Sequence, residues 1–229
     1  MKKITFLSIV LFVGLQVNAQ VDENQTGAWY MYFYNHQFKN SQWGIQGDFQ
    51  YRDWQVLGDK EQLLLRSGFT YRPKEMNALF TLGFANITSG VFGDSNATSS
   101  ENRLYQEALL PQKLGKRFLI THRFRFEQRF VAHQDFRTRY RYNLFINVPF
   151  NSSSLSPKTI YGAFYNELFI NGESTVGKNK SVALFDRNRT YLGLGYVLNP
   201  EIRFQLGYMN QTTNTWTKGQ LQFSMHHNF

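Results

Sequence analysis

The stretch that decides the fold is Arg117-Phe118-Leu119-Ile120-Thr121-His122-Arg123-Phe124-Arg125-Phe126-Glu127-Gln128-Arg129-Phe130. Its even positions carry Phe118, Ile120, Phe124, Phe126 and Phe130, interrupted by His122 and Gln128. Its odd positions carry Arg117, Thr121, Arg123, Arg125, Glu127 and Arg129. A helix would scatter the two sets around its circumference, whereas a strand separates them onto two faces. The next segment, Phe136–Val148, repeats the pattern: Phe136, Tyr140, Tyr142, Leu144, Ile146 and Val148 alternate with Arg137, Arg139, Arg141 and Asn143.

Working outward, the same period of two recurs in Trp43–Arg52, in Glu201–Gln211 and in the last ten residues. Weaker alternation covers Thr26–Phe38, Gln62–Arg72, Asn77–Thr88, Asn102–Leu110, Thr159–Ile170 and Arg187–Leu198. That makes eleven readable strands, most of them longer than the roughly five or six residues usual in soluble sheets. A tilted strand crossing a bilayer needs roughly nine to eleven residues. The links tend to alternate between long and short, with the contrast lost in the middle of the chain. This is the rhythm of a bacterial outer-membrane barrel. The expected fold is all-β: a single closed antiparallel transmembrane β-barrel. Bacterial single-chain barrels have even strand numbers, so the reading favours about twelve strands, with ten as the alternative. The region up to Phe38 is where the discrepancy is expected to lie.

The N-terminus does not belong to the barrel. Met1-Lys2-Lys3 is a short basic region, Ile4–Leu15 is mostly apolar, and Val17-Asn18-Ala19 has the small-residue pattern of a cleavage site. Residues 1–19 therefore read as a secretory signal peptide. The apolar run is too short for a spanning helix. Residues 20–229 are left as one barrel domain. The absence of cysteine in the 229 residues excludes a lipoprotein anchor, a disulfide scaffold, a thiol nucleophile and a Cys-ligated metal. With 25 Lys+Arg against 16 Asp+Glu the chain is basic, but an exported protein meets no genomic nucleic acid. The positive charge then points to lipopolysaccharide phosphates, to a small anionic solute, or to internal pairing.

Alternation alone does not say which face is enclosed. In a soluble barrel the apolar face lines the cavity; in a membrane barrel it meets lipid. Three features favour lipid. The apolar face is dense in Phe, Tyr and Trp, as an aromatic girdle is. The chain ends on Phe229 behind Leu221, Phe223 and Met225, like the C-terminal strand of outer-membrane proteins. Glycines sit mid-strand at Gly47, Gly68, Gly83, Gly193, Gly195 and Gly207, where they are costly unless they mark curvature or crowding.

The signal peptide, the aromatic first strand around Trp29, Arg66-Ser67-Gly68-Phe69-Thr70-Tyr71, Glu167-Leu168-Phe169, Asp186-Arg187-Asn188-Arg189 with Tyr191, and Gly207-Tyr208 occur in this order. Together they resemble the outer-membrane β-barrel family catalogued as a domain of unknown function, DUF2490. The resemblance covers nearly the whole mature chain. It implies an envelope barrel and carries no activity.

If the apolar face meets lipid, the lumen receives Arg66, Arg123, Arg125, Glu127, Arg129, Arg137, Arg139, Arg141, Glu167, Arg187, Arg189 and Arg203. Arg52, Arg72, Asp48 and Glu107 join them. Arginine suits planar, bidentate pairing in a crowded space. These residues can interlock as filling, as side chains do in small barrels. Their excess of cations can also leave an anion-favouring interior focused by low-dielectric walls.

No Walker A, GxGxxG or HExxH motif is present, and no catalytic residue, metal site or cofactor is expected. His226 and His227 are adjacent and face opposite sides of a strand. Ser224 and His226 share one face, which is a weak nucleophile–base signal because any two residues two apart do so. The expected role is a non-enzymatic outer-membrane barrel, either a narrow anion-favouring pore or a structural and interaction element. Its surroundings would be outer-membrane lipid and lipopolysaccharide. An envelope lipid-modifying enzyme and a secreted soluble barrel holding an apolar ligand are the alternatives.

Overall fold

A computed structural model describes residues 21–93, 95–178 and 180–229, and the leader read at residues 1–19 lies outside them. The described residues contain strands and no helix. They are β1 (Gly27–Gln37), β2 (Trp43–Asp53), β3 (Lys60–Tyr71), β4 (Leu79–Gly90), β5 (Thr98–Leu114), β6 (Phe118–Val131) and β7 (Arg137–Pro149). β8 (Ile160–Asn171), β9 (Thr175–Gly177), β10 (Lys180–Ser181), β11 (Phe185–Val197), β12 (Ile202–Thr212) and β13 (Thr217–Asn228) follow. Each strand pairs with the next one in the chain, except that β9 and β10 form a separate small hairpin and β8 pairs directly with β11.

The sheet closes on itself through β1 and β13. Among the described residues the closed barrel has eleven strands, the number read from the alternation and one fewer than the about twelve that parity favoured. The difference has a simple geometrical cause. In an up-and-down barrel with an odd strand count, the first and last strands run the same way. β1 and β13 do pair in parallel, from Gly27 opposite Gln220 to Asn35 opposite Asn228. The strand near the N-terminus is a genuine barrel strand, and nothing is hidden before it among the described residues. A further adjustment concerns β5, which runs unbroken through Pro111 to Leu114 and starts as early as Thr98. The alternation at Asn102–Leu110 marks only its middle. Gly115, at φ +58°, then makes the tight turn into β6.

Closure gives the barrel two mouths. β1 begins at one, together with the links 54–59, 91–97, 132–136, 172–184 and 213–216. β13 ends at the other, with the links 38–42, 72–78, 115–117, 150–159 and 198–201. At the first mouth, the fully buried Lys218 ammonium donates to the carbonyls of Asp22, at 2.9 Å, and of Gln25. This pins the segment before β1 to the barrel.

The apolar faces of the strands point outward. Phe69, Leu82, Leu192, Leu194 and Leu206 are each about 60–70% exposed, and exposed Phe, Tyr and Leu residues continue around the wall. The aromatic rings pack across strands, as in Phe124–Tyr142 and Phe126–Tyr140, with centroids 5.1 Å apart in each pair, and Phe130–Phe136 at 5.4 Å. Such cross-strand pairs are the unit of sheet stabilisation. Mid-strand glycines accommodate large rings inside. A Cβ on Gly195 would lie 2.1 Å from the Tyr161 ring, and one on Gly83 would lie 2.2 Å from the Tyr105 ring.

Candidate functional site

The polar faces converge on the lumen, where β5–β8 and β11 bring their charges together. Register places Arg125 opposite Arg141 and Arg129 opposite Arg137. Like charges directly opposite each other are destabilising, so the arrangement needs acids from neighbouring positions. Glu127 accepts from Arg139 and Arg141, both at 2.6 Å, with Arg103 at 3.7 Å and Arg125 at 3.9 Å. Glu167 accepts from Arg141 at 2.5 Å and Arg123 at 2.6 Å. Glu107 holds Arg125 at 2.5 Å, and Glu101 holds Arg103 at 2.7 Å and Arg129 at 2.5 Å. Asp186 takes Arg139 at 2.8 Å and Arg187 at 3.2 Å. One connected network thus alternates guanidinium and carboxylate over five strands. Glu127 at its centre is 1% exposed.

Rings complete this network. The Phe169 face lies beneath Arg141 at 4.4 Å and Arg189 at 4.8 Å. Trp29 stacks Arg52 at 3.6 Å and Arg189 at 4.7 Å, while its indole N–H donates to Glu61 at 3.1 Å. Several contacts reach across the lumen rather than along the wall. Arg189 of β11 meets Trp29 of β1, and the Tyr165 hydroxyl of β8 donates to Gln222 of β13 at 3.0 Å. These contacts narrow the lumen at this level.

The residues singled out from the sequence are distributed as follows. Arg123, Arg125, Glu127, Arg129, Arg139, Arg141 and Glu167 share the network. Arg187 joins it through Asp186. Arg189 lies 3.9 Å from Glu167 and donates to Gln211 at 2.6 Å. Arg66 forms a separate bidentate pair with Asp48 at 2.8 Å. Arg137 is buried beside the network, with no carboxylate within 4 Å among the described residues. Arg203 stands apart from all of these, next to His226 in the β12–β13 register.

Among the charged residues of the lumen not picked out from the sequence are Glu61, Glu101, Arg103 and Asp186. Glu101 and Arg103 simply extend the β5 alternation backward. Glu61 and Asp186 are extra residues at irregularities, where the register shifts between Arg52 and Asp53 and between Phe185 and Arg187. A strict period of two misassigns the face of such residues.

Beside the network, which supplies Glu107, Arg123, Arg125, Arg141 and Glu167 to its wall, the lumen holds a cavity of about 400 Å³ that extends to the mouth at which Phe229 lies. Phe33, Arg72, Asn147, Arg203, Ser224, His226 and Asn228 are among its lining residues. Here Ser224 Oγ is 3.1 Å from His226 Nε2, and the His226 ring stacks on Phe33 at 4.8 Å. No carboxylate bonds His226 among the described residues, so the pair lacks an orienting acid. No group of three or more His, Asp or Glu among the described residues is placed to hold a metal.

The family model described as a protein of unknown function (DUF2490) matches residues 26–222, nearly the whole barrel. The chain belongs to the DUF2490 family. No curated protein matches it. The family match spans both the Arg66–Asp48 pair and the five-strand network.

Proposed function

We propose that this DUF2490 protein is an outer-membrane β-barrel of a Gram-negative envelope. It acts as a non-enzymatic structural or binding element with a narrow, anion-favouring interior. One observation carries the reading: the continuous outward band of Phe, Leu, Ile and Tyr, with Leu192 and Phe69 more than two-thirds exposed. A soluble monomer rarely exposes contiguous apolar patches beyond a few hundred Å². A band encircling the barrel suits hydrocarbon, flanked by lipid and lipopolysaccharide headgroups. A soluble barrel for an apolar ligand would instead turn these side chains inward. The export leader read at residues 1–19 agrees with this location. The cross-lumen contacts favour a filled barrel over a wide diffusion pore. The test is expression of the full chain in a Gram-negative host. The expected result is recovery with outer membranes and heat-modifiable gel mobility. Recovery as soluble periplasmic protein would refute the proposal.

The Ser224–His226 contact supports a second reading, a lipid-modifying barrel enzyme. It is the weaker one, because the pair faces the lumen and lacks an acid. Incubation of purified protein with phospholipid and lipid A, alongside Ser224→Ala, decides it. Hydrolysis lost in Ser224→Ala would establish the enzyme, and intact lipid would remove it.

A further inference from the structure

The cavity beside the charged network has an unbalanced wall. Its carboxylates are already engaged: Asp48 by Arg66, Glu107 by Arg125, and Glu167 by Arg141 and Arg123. Three guanidiniums on the same wall, Arg52, Arg72 and Arg203, have no carboxylate within 4 Å among the described residues. They are not equivalent. Arg52 spends its donors on Gln50 and Gln62 and lies on Trp29. Arg72 is exposed at the rim. Among the described residues, Arg203 lines the cavity without an ion pair, and its buried Nε donates to no acceptor. A buried guanidinium without a counter-charge is costly, and an anion in the cavity would offset the unpaired charge of Arg203.

The surroundings of Arg203 specify more than charge. It faces His226 across the β12–β13 ladder, and His226 stacks face to face on Phe33, with an interplanar angle of 11°. Ser224 and Asn228 add polar groups on the same strand, and Phe145 supplies a further ring to the wall. A cation beside stacked rings, in a cavity within the size range of small-molecule sites, suits a ligand with one anionic end and one flat apolar end. Access is from the mouth at which Phe229 lies, where Arg72 and Asn228 form the edge.

We propose that the cavity binds a small aromatic anion, with its carboxylate or phosphate on Arg203 and its ring against the Phe33–His226 stack. This deepens the anion-favouring interior proposed above and rests on it. The test is calorimetric titration of the detergent-solubilised mature chain with four probes: benzoate, phenyl phosphate, benzyl alcohol and benzylammonium. Benzoate or phenyl phosphate should bind, and the tighter of the two identifies the anionic group. Benzyl alcohol and benzylammonium should bind at least about tenfold more weakly, because each forfeits the charge-assisted bond. Arg203→Gln should weaken the anion by about tenfold or more, whereas Lys74→Gln, an equal loss of charge on an exposed link, should leave it unchanged.

Heat-modifiable mobility reports whether Arg203→Gln folds. If it does not, the ranking of benzoate over benzylammonium in the parent protein still decides. Equal binding of benzoate and benzyl alcohol, or an affinity unchanged in folded Arg203→Gln, would overturn the site. Failure of all four probes would overturn the ligand while leaving the envelope barrel intact. Tighter binding of benzylammonium would overturn the anion-favouring interior as well.

Discussion

Replacing Asp48 by Asn should destabilise the barrel more than replacing Glu127 by Gln, although Glu127 touches more guanidiniums. The reasoning turns on what each arginine has left. Without Glu127, Arg139 keeps Asp186 at 2.8 Å, Arg141 keeps Glu167 at 2.5 Å, Arg125 keeps Glu107 at 2.5 Å and Arg103 keeps Glu101 at 2.7 Å. Without Asp48, Arg66 keeps no carboxylate within 4 Å among the described residues, and its side chain is only 8% exposed. Breaking a buried ion pair by removing one partner costs about 3–5 kcal/mol, because a buried charge is left uncompensated. Asp48→Asn should fall in that range. Both variants keep an amide oxygen as acceptor, but Glu127→Gln leaves every guanidinium a carboxylate, so it should cost nearer the ~1–3 kcal/mol of a lost charged hydrogen bond. Adding Arg66→Met to Asp48→Asn removes the stranded charge and should recover most of the loss. The assay is the urea midpoint of the refolded barrel, read by Trp fluorescence and by the fraction of heat-modifiable species. A Glu127→Gln cost equal to or above that of Asp48→Asn, or no recovery in the double variant, would refute this account of the network.

Other substitutions probe other parts. Leu192→Arg, at a position 69% exposed, should cost about 2–4 kcal/mol if that surface lies near the bilayer midplane; a near-zero effect on folding into vesicles would argue that the surface meets water. Gly195→Val should cost about 1–3 kcal/mol, because its side chain would collide with the Tyr161 ring; an unchanged urea midpoint would show that the ring moves aside freely. Lys218→Met should release the segment at residues 22–25, whose carbonyls the ammonium holds, and speed protease cleavage there without unfolding the barrel; cleavage at the parental rate would show that the tether is dispensable.

Much of this architecture was legible because a strand writes its two faces into alternate residues. The Arg123/Arg125/Glu127/Arg129 row and the Arg137/Arg139/Arg141 row announce adjacent inward faces, and the two rows lie side by side in the barrel. Which acid would serve which arginine could not be read, because Glu167 reaches Arg123 over an intervening strand, a matter of barrel curvature rather than sequence spacing. Glu61 and Asp186 escaped because a bulge shifts the count by one at the position where each turns inward. The cavity was also illegible. It depends on the row around Arg203 having small or uncharged inward neighbours, Gln205 and Ser224, where the rows of β6 and β7 have charged ones.

Strand number is a different kind of information, since nothing in an alternating pattern fixes how the first and last strands meet. An odd barrel must join them in parallel, and a parallel ladder is slightly weaker per residue than an antiparallel one. The β1–β13 seam compensates with side-chain contacts on both faces. Outside, the Tyr32 hydroxyl meets His227 Nδ1 at 3.0 Å, and the His36 ring lies 5.0 Å from the Phe229 ring. Inside, Phe33 stacks on His226. The Phe229 amide adds a bond of 3.0 Å to the Asn35 carbonyl. Aromatic residues of the first and last strands thus help to close the ring. The Phe33–His226 stack does this while forming part of the cavity wall, so the parallel ladder of the barrel and the surface around Arg203 share the same residues.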